Sequence, residues 1–482
     1  MNKWSFIFYQ NRKTFIKKTV MKIIPHYSRI KHRHIIEIGQ ARLMGKPWIS
    51  GVLLMTSVVI AMLLANLPAT KEIYHAFLET SLSISIQSPH GDTWIFPKDM
   101  TVEKFINDIL MVVFFFTVGL EIKREIVCGE LSSVKKAMLP VIAAAGGMLM
   151  PALIYICVNG DTAASSGWGI PTATDIAFAV GIMSILGDRV PVTLKIFLTA
   201  LAIADDLGAI LVVAFFYGGS INTSLLVIAI LLLSFVFMLN KLGEKRMIYY
   251  LIPAIGIWFL FYYAGIHATM SGVVMAMMIP MDARYKRSYF EKKTIHYKQL
   301  IDKFSDNDSL PNVNQRTYLR NISHVARGTV GMSYRLEHAL TPWVNFVIMP
   351  IFAIANAGVE IPGLSYLNFF QYSPEIGSVG LGIYFGLLLG KPVGITLASW
   401  IAIKLKVGEM PDNASWKMLF AVACLGGIGF TMSIFVDTLS FGELLPEMTH
   451  HLRSLGKIAV LAASLSAGIL GSVLITTFSK KK

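Results

Sequence analysis

Long apolar runs recur along this chain from Trp48 almost to its C-terminus. Each approaches the roughly 20 residues that an α-helix needs to cross the hydrocarbon core of a membrane. Hydrophobic residues make up 54% of the 482 residues and charged residues only 15%, whereas an average soluble domain has about 25% charged residues. The sequence therefore predicts one polytopic membrane domain rather than a series of soluble domains.

Twelve of these runs can be read as transmembrane helices, which predicts an all-α membrane protein with about twelve spans. The eighth run is the weakest, because it is short and nearly continuous with the seventh. An even number of spans places both chain ends on the same side of the membrane. The predicted spans are 48–67, 105–121, 137–158, 169–187, 191–217, 222–240, 247–264, 266–281, 338–358, 379–402, 415–436 and 456–478.

The positive charge of the chain follows this topology. The net charge is +14, from 43 Lys and Arg against 29 Asp and Glu. With the N-terminus in the cytoplasm, the inner segments hold 36 of these Lys and Arg residues and the outer segments hold five. Cytoplasmic loops of membrane proteins carry such an excess of basic residues. The sequence thus predicts cytoplasmic termini and needs no nucleic-acid partner to explain its charge.

Two basic polar regions divide the membrane domain. The predicted organisation is a cytoplasmic leader at 1–47, spans 1–8 at 48–281, a cytoplasmic loop at 282–336, and spans 9–12 with a short basic tail at 337–482. The leader is expected to be flexible or to lie on anionic lipid. The loop is expected to be a disordered or weakly helical linker.

Four ionisable residues lie deep inside apolar runs: Asp175, Asp205, Asp206 and Lys391. An ionised side chain at the centre of a span costs about 3 kcal/mol on the most lenient scale, so such residues are functional candidates by default. Adjacent residues on a helix point about 100° apart. Asp205 and Asp206 therefore address different neighbours, and Lys391 is the mid-membrane cation available to one of them.

A buried ion pair that only fixes helix packing is the structural alternative for these residues. It would explain one aspartate with Lys391 but would leave Asp175 and Asp206 without a role. Three acids and one base leave a site with a net charge of −2 when all are ionised. Only a bound cation or protons could neutralise such a site.

Two predicted spans contain residues that interrupt helices. Span 4 has Pro171 four residues before Asp175, and span 11 has glycines at Gly426, Gly427 and Gly429. Ordinary glycine packing between membrane helices is the alternative interpretation of each segment. However, these spans are the middle members of triplets 3–5 and 10–12. Two inverted repeats would each place a broken helix there, and broken helices can hold ions.

Seven motifs, in order, resemble the NhaA-type sodium/proton antiporter family. The resemblance covers about 48–478 but skips much of 282–330 and does not include the leader. The motifs are INDILMVVFFFTVGLEIKRE (106–125), GIPTATDIAFAVGIMSILGDRVP (169–191), LKIFLTALAIADDLGAI (194–210), GIHATMSGV (265–273), RLEHALTPWVNFVIMPIFAIANAGV (335–359), LLLGKPVGI (387–395) and GGIGFTMSIF (426–435).

The resemblance implies that spans 4 and 11 are broken helices that cross at mid-membrane beside an ion site. Asp205 and Asp206 match the carboxylates that bind Na⁺ or Li⁺ in this family, and Lys391 matches the lysine that pairs with the first of them. Asp175 and Thr174 match the residues that balance the charge of the half-helix ends.

Further matches concern the pathway and the response to pH. Asp108 matches an acidic pathway residue of span 2. Thr341 stands where the family often has a second histidine, a departure that bears on the pH response. The residues matching the cytoplasmic funnel and the pH response are Glu121, Arg124, Glu125, His267 and Glu337.

The predicted function is the exchange of internal Na⁺ (or Li⁺) for external H⁺ across the bacterial cytoplasmic membrane, without a cofactor. Burial disfavours the ionised form of a carboxylate, so the same group can hold a proton or a dehydrated sodium ion but not both. The resemblance implies more than one proton per sodium, and hence electrogenic exchange. It also implies a tendency to form homodimers, in some members through the outer loop, which is prone to form a hairpin near 80–100 here.

Two other classes of protein also carry acids inside the membrane. An intramembrane aspartyl protease needs two acids that share a proton, but the usual YD and GxGD signatures are absent and Lys391 would have no use. A cation channel can be lined with carboxylates, but a buried lysine beside them would oppose conduction. Both remain alternatives to the exchanger at this point.

Overall fold

The computed structural model describes residues 47–87, 93–96, 100–219, 221–303, 312–361, 368–372, 377–412, 414–441 and 446–479. Nearly the whole of the predicted leader and the last three residues of the chain lie outside this part, and so do the predictions made for them.

The described part is almost entirely helical. Its one sheet is an antiparallel hairpin of β1 (Ile84–Gln87) and β2 (Thr93–Phe96), within the outer loop predicted to be hairpin-prone. In chain order the helices are α1 (Pro47–Asn66), α2 (Lys71–Glu79), α3 (Val102–Cys128), α4 (Val134–Asn159), α5 (Ser165–Arg189), α6 (Val192–Phe216), α7 (Thr223–Lys241), α8 (Ile248–Ala264), α9 (Met270–Met278), α10 (Arg287–Lys303), α11 (Val313–Gly328), α12 (Met332–Asn356), α13 (Val379–Lys404), α14 (Trp416–Gly426), α15 (Phe430–Ser440) and α16 (Pro446–Phe478).

Nine of the described helices are long and apolar enough to cross a membrane, and the bent pair α14 and α15 makes a tenth candidate. These ten occupy ten of the twelve predicted spans. The other two positions hold shorter helices, α8 with 17 residues and α9 with nine. At 1.5 Å per residue α9 is about 14 Å long, less than half of a hydrocarbon core of about 30 Å. By length and composition, described helices thus match nine or ten of the twelve predicted spans.

Two of the spans are interrupted, at the positions of the proline and the glycines noted in the sequence. In α5 a 3₁₀ segment, Ser165–Thr172, leads through non-helical residues 173–175 into an α-helical half, Ile176–Leu186. Helices α14 and α15 meet at an angle of 48°. Both breaks leave backbone groups without partners in their own helix, so these groups are free to bond elsewhere.

Small residues bring α4 and α13 together, and this contact sets the position of the central lysine. A methyl group at Gly146 of α4 would collide with Ala398 and with the backbone of Gly394 on α13. Membrane helices use such small residues to approach each other closely. Lys391 lies one turn before Gly394, so its ammonium is carried on a helix that is packed backbone to backbone against α4.

Three helices contain a single widened, π-helical turn. These turns are Ile106–Leu110 in α3, Val344–Ile348 in α12 and Gly386–Gly390 in α13. π-Turns inside α-helices often mark functional positions. The first contains Asp108, and the third ends immediately before Lys391.

The loop 282–336 contains more helix than the sequence was expected to form. Instead of a disordered or weakly helical linker, helices α10 and α11 occupy most of it. A capping box begins α11, in which Asn312 and Gln315 each bond the other's backbone N–H. Tyr297 of α10 and Tyr318 of α11 stack with their ring centres 6.1 Å apart. Capping and aromatic contacts of this kind stabilise helices that lack a long apolar stripe.

Candidate functional site

Three fully or almost fully buried charged residues meet between α6 and α13. Asp205 and Lys391 are 0% exposed and Asp206 is 3% exposed. The Lys391 ammonium donates hydrogen bonds to Asp205 Oδ2 and to Thr174 Oγ1. The structure thus pairs Lys391 with Asp205, the partner predicted from the sequence, and adds the hydroxyl of Thr174 to the contact.

The two adjacent aspartates each keep an oxygen free. Asp205 Oδ1 and Asp206 Oδ1 are buried and have no hydrogen-bond partner among the described residues. Buried polar atoms in proteins are nearly always hydrogen-bonded, so two free carboxylate oxygens at one place require an explanation. Oxygen atoms of this type are ligands for hard cations and can also accept protons.

Asp175 closes the gap between two half-helices. Its Oδ1 accepts from the backbone N–H of Phe178 at 3.1 Å, which caps the α-helical half of α5. Its Oδ2 accepts from the backbone N–H and the hydroxyl of Thr431, at 3.2 and 2.5 Å, in the first turn of α15. A negative group is thus held between two helix N-termini, whose dipoles are positive.

The opposite ends of the two breaks also bond to each other. Thr174 Oγ1 donates to the Gly426 carbonyl at the end of α14 at 2.9 Å, and the Asp175 N–H donates to the Ile428 carbonyl at 2.7 Å. Thr174 Oγ1 also accepts a hydrogen bond from Lys391. This hydroxyl therefore bridges the ammonium and the C-terminal end of α14, which carries the negative end of the helix dipole. The two interruptions form one buried polar layer beside Asp205 and Asp206.

Asp108 lies in the π-turn of α3 and is partly exposed. Its backbone carbonyl accepts from the Trp258 indole at 3.2 Å. In the part of the chain that the structure covers, no hydrogen bond or ion pair joins its side chain to Asp205, Asp206 or Lys391. The structure therefore does not bring the predicted pathway residue into contact with the central group.

Four of the five predicted pH-response residues form one cluster. Arg124 of α3 bonds both carboxylate oxygens of Glu337 on α12, at 3.0 and 3.2 Å. The same guanidinium lies 2.6 Å from Glu125 Oε1 and 3.9 Å from Glu121 Oε1. Three carboxylates thus surround one guanidinium at this junction between α3 and α12, which leaves an excess of negative charge when all four groups are ionised.

His267 lies apart from this cluster. Its Nε2 is in contact with the backbone carbonyl of Tyr217, just after the end of α6. The hydroxyl of Tyr217 accepts from the Gly169 N–H at 3.0 Å and donates to the Ser166 carbonyl at 2.8 Å, both in the 3₁₀ segment of α5. The prediction grouped His267 with the cytoplasmic funnel, whereas the structure connects it to the first half of a broken span.

Two residues of this region were not predicted from the sequence. Thr431 bonds Asp175, but the contact joins residues 256 positions apart, and no local pattern signals it. Asp437 is a fourth buried acid, 0% exposed, on α15. The predicted span 415–436 ends one residue before it, although an acid within the apolar segment FTMSIFVDTLS is itself a signal.

Comparisons with known proteins identify the family of this chain. The family model Na⁺/H⁺ antiporter 1 matches residues 41–475. The chain is 42% identical over 435 residues to the Na⁺/H⁺ antiporter NhaA of Pelagibacter ubique (90% of this chain, 95% of the relative). It is 38% identical over 422 residues to NhaA of Escherichia coli O1:K1 / APEC (87% and 93%).

A solved structure of a sodium proton antiporter from Methanocaldococcus jannaschii aligns with a TM-score of 0.49 and 11% identity, over 93% of this chain and 100% of that one. The family match and the two relatives cover most of the chain, and the residues matched by the family model, 41–475, include the buried layer. The chain therefore belongs to the Na⁺/H⁺ antiporter 1 family, the NhaA-type antiporters, which are transporters and not enzymes.

Proposed function

We propose that this chain exports Na⁺ or Li⁺ from the cytoplasm in exchange for external H⁺, and that Asp205 and Asp206 bind the cation. The observation that carries this proposal is the pair of buried carboxylate oxygens without partners, Asp205 Oδ1 and Asp206 Oδ1. Either a sodium ion or protons would satisfy them. Because both ligands compete for the same oxygens, loading one releases the other.

Lys391 is proposed to set the charge balance of the site. Its ammonium holds Asp205 through Oδ2 and leaves Oδ1 free. Breaking a buried ion pair by removing one partner is strongly destabilising, so Lys391 keeps its charge while Asp205 is ionised. Asp175 and Thr174 are proposed to neutralise the half-helix ends, which lets charged helix termini remain in the membrane interior.

Transport is proposed to proceed by alternating access. Spans 3–5 and 10–12 act as two inverted repeats, each with its broken helix in the middle, within a fold of twelve spans that counts α8 and α9. Rocking of one helix group against the other exposes the site to each side in turn. Three acids and one base favour more than one proton per sodium, so that exchange is electrogenic.

The remaining predicted residues are assigned to access and control. Asp108 is proposed to line the pathway, because it lies in a π-turn of the helix that also carries the Arg124 cluster. Protonation of Glu121, Glu125 or Glu337 would weaken their hold on Arg124 and so loosen the contact between α3 and α12. His267 is proposed to sense pH separately, through Tyr217.

The proposed location is the bacterial cytoplasmic membrane, with both termini in the cytoplasm. We further propose a homodimer in which the hairpin of β1 and β2 takes part. A two-stranded sheet has two open edges whose backbone groups can pair with another strand. The hairpin is therefore able to extend its sheet with the hairpin of a second copy.

The test is Asp206→Asn, assayed in everted membrane vesicles by the sodium-dependent recovery of a pH-sensitive dye. We expect exchange to fall at least about 100-fold, equivalent to about 2.7 kcal/mol, because the amide cannot bind the ion as a charged ligand. The protein should still insert, since removing a central charge lowers the cost of insertion.

Asp188→Asn is the matched control, because Asp188 is exposed in the turn at the end of α5. It should leave exchange unchanged. Normal dye recovery in vesicles that carry Asp206→Asn at the wild-type level would exclude Asp206 as a direct ligand.

A further inference from the structure

Asp437 is a buried acid to which the central site gives no role. It lies on α15, is 0% exposed, and neither of its carboxylate oxygens has a hydrogen-bond partner among the described residues. An ionised carboxylate in such a place, without a bonded partner, is strongly destabilising. A membrane helix that keeps this residue therefore calls for a functional explanation.

Its position is on the outer side of the central layer. Asp437 follows Thr431, the residue bonded to Asp175, by six positions. At 1.5 Å per residue this places it about 9 Å further along α15. The distribution of basic residues predicts that this span ends at the outer face, so α15 leads from the polar layer outward.

Helix α16 brings two cations to this acid. Arg453 and Lys457 both act electrostatically on the Asp437 carboxylate. Gly456 lies between them, and a methyl group there would collide with Asp437 Oδ1, so the carboxylate sits directly against the backbone of α16. Arg453 Nη2 donates to the Thr438 carbonyl at 2.6 Å.

The other titratable groups near this acid come from α3, α4 and the end of α6. Glu103, in the first turn of α3, acts on Lys457. Tyr155 and Tyr217 interact electrostatically with the Asp437 carboxylate. Each tyrosine hydroxyl already donates to a backbone carbonyl within 164–166. Neither tyrosine therefore satisfies the acid, which remains free to take a proton.

A chain of charged groups thus leads inward from the partly exposed Glu103, through Lys457, to the buried Asp437. We propose that Asp437 is a further proton-carrying residue of the transport path, placed between external water and the central carboxylates. An O–H bond forms on its carboxylate as a proton leaves external water, and that bond breaks as the proton passes on towards Asp175 and Asp206. This inference rests on the proposed exchange of sodium for protons.

The test varies the external pH alone. Right-side-out membrane vesicles are loaded with radioactive sodium at a fixed, strongly buffered internal pH, and the rate of sodium efflux is measured against external pH. For Asp437→Asn we expect the external pH at which efflux is half-maximal to be lower than in the wild type by about one unit or more. The internal sodium concentration for half-saturation should stay the same within about twofold, because the binding carboxylates are unchanged.

Three further variants separate a proton-carrying role from a structural one. Asp437→Glu should restore the external pH profile, since it keeps a carboxylate. Lys457→Gln should move the profile towards higher external pH, because loss of the neighbouring cation makes the acid hold its proton more readily. Asp161→Asn, at an exposed position after α4, is the matched control and should behave as the wild type.

An unchanged external pH profile in Asp437→Asn, at the wild-type amount in the membrane, would overturn the proposal while leaving sodium/proton exchange intact. If the asparagine variant does not reach the membrane, the Lys457→Gln profile decides in its place, and no shift there would also overturn it. Absence of exchange in the wild-type vesicles themselves would refute the proposed function, and this inference with it.

Discussion

Single residues in this protein gain their importance from what surrounds them rather than from their type. Asp175 and Asp206 are both buried acids, but every oxygen of the Asp175 carboxylate is hydrogen-bonded, whereas Asp206 keeps Oδ1 free. The first is suited to stabilise helix ends and the second to exchange ligands. Asp205 and Asp437 also differ in their hydrogen bonding. Asp205 accepts from Lys391 through one oxygen, whereas neither oxygen of Asp437 has a hydrogen-bond partner among the described residues.

The role of Lys391 can be tested by Lys391→Arg. The change keeps the positive charge in a bulkier group that always stays protonated. If the ammonium serves as a fixed partner of Asp205, exchange should fall by less than about tenfold, or about 1.4 kcal/mol. The rate should still respond to an imposed membrane potential in proteoliposomes. Lys404→Arg, on the exposed end of the same helix, is the control.

The opposite result has a distinct meaning. If Lys391 must lose its own proton in each cycle, arginine would remove one proton from the coupling. Exchange by Lys391→Arg that is insensitive to the membrane potential would contradict the structural role and establish the lysine as a proton carrier.

Residue pairing was predictable where the sequence offered few choices. Lys391 is the one cation that the sequence places in the middle of a predicted span, so its contact with Asp205 could be expected, and in the structure the two side chains form an ion pair. The contact of Arg124 with Glu337 joins residues 213 positions apart at the ends of α3 and α12, and helix periodicity alone does not determine such a pair. His267 lies outside the Arg124 cluster and contacts Tyr217 instead, a separation that a resemblance between motifs does not reveal because it carries no information about distance.

The helices were easier to predict than the places where they bend or shorten. The interruptions in α5 and between α14 and α15 follow from Pro171 and from the glycines at 426, 427 and 429. The shortness of α9 does not follow from hydropathy, which continues past both of its ends. The two helices of the loop 282–336 were missed because they depend on a capping box and ring contacts rather than on an apolar run.

The break between α14 and α15 can be tested at Gly427. A methyl group there would collide with the Leu387 carbonyl and lie 3.3 Å from Ala467 Cβ. Added volume at a tightly packed position is destabilising by about 1–3 kcal/mol. We expect Gly427→Ala to lower both the thermal unfolding temperature in detergent and the rate of exchange.

Gly51→Ala on α1 is the matched control, because the nearest atom to a methyl group at this position is Gly181 Cα, 4.0 Å away. It should change neither quantity. Wild-type unfolding and wild-type exchange in Gly427→Ala would show that the backbone at this break does not need glycine.

The whole molecule consists of a core of membrane-spanning helices and of basic regions outside this core. The helices of this core carry Asp175, Asp205, Asp206 and Lys391, and the family match covers all four residues. The family match begins at residue 41, so most of the leader lies outside it. Composition and charge predict such a division, because long apolar runs are suited to span the membrane whereas basic segments are typical of cytoplasmic loops.

Deletion of residues 1–40 tests whether the leader takes part in transport. We expect exchange to remain within about twofold of the full chain, since the segment is basic and suited to contact anionic headgroups. The measurement is dye recovery in everted vesicles, normalised to the amount of protein in the membrane. Loss of exchange at a normal protein level would make the leader part of the transport machinery.

The π-turn before Lys391 has a mechanical consequence. A π-turn holds one residue more than an α-turn, so everything after it is rotated by about 100° relative to an unbroken α-helix. Relaxation of Gly386–Gly390 to an α-turn would swing the ammonium about the helix axis, away from Asp205. Gly386 packs against Pro171 of α5. Movement of α5 at Pro171 would therefore act on the π-turn Gly386–Gly390, and through this turn on the angular position of Lys391.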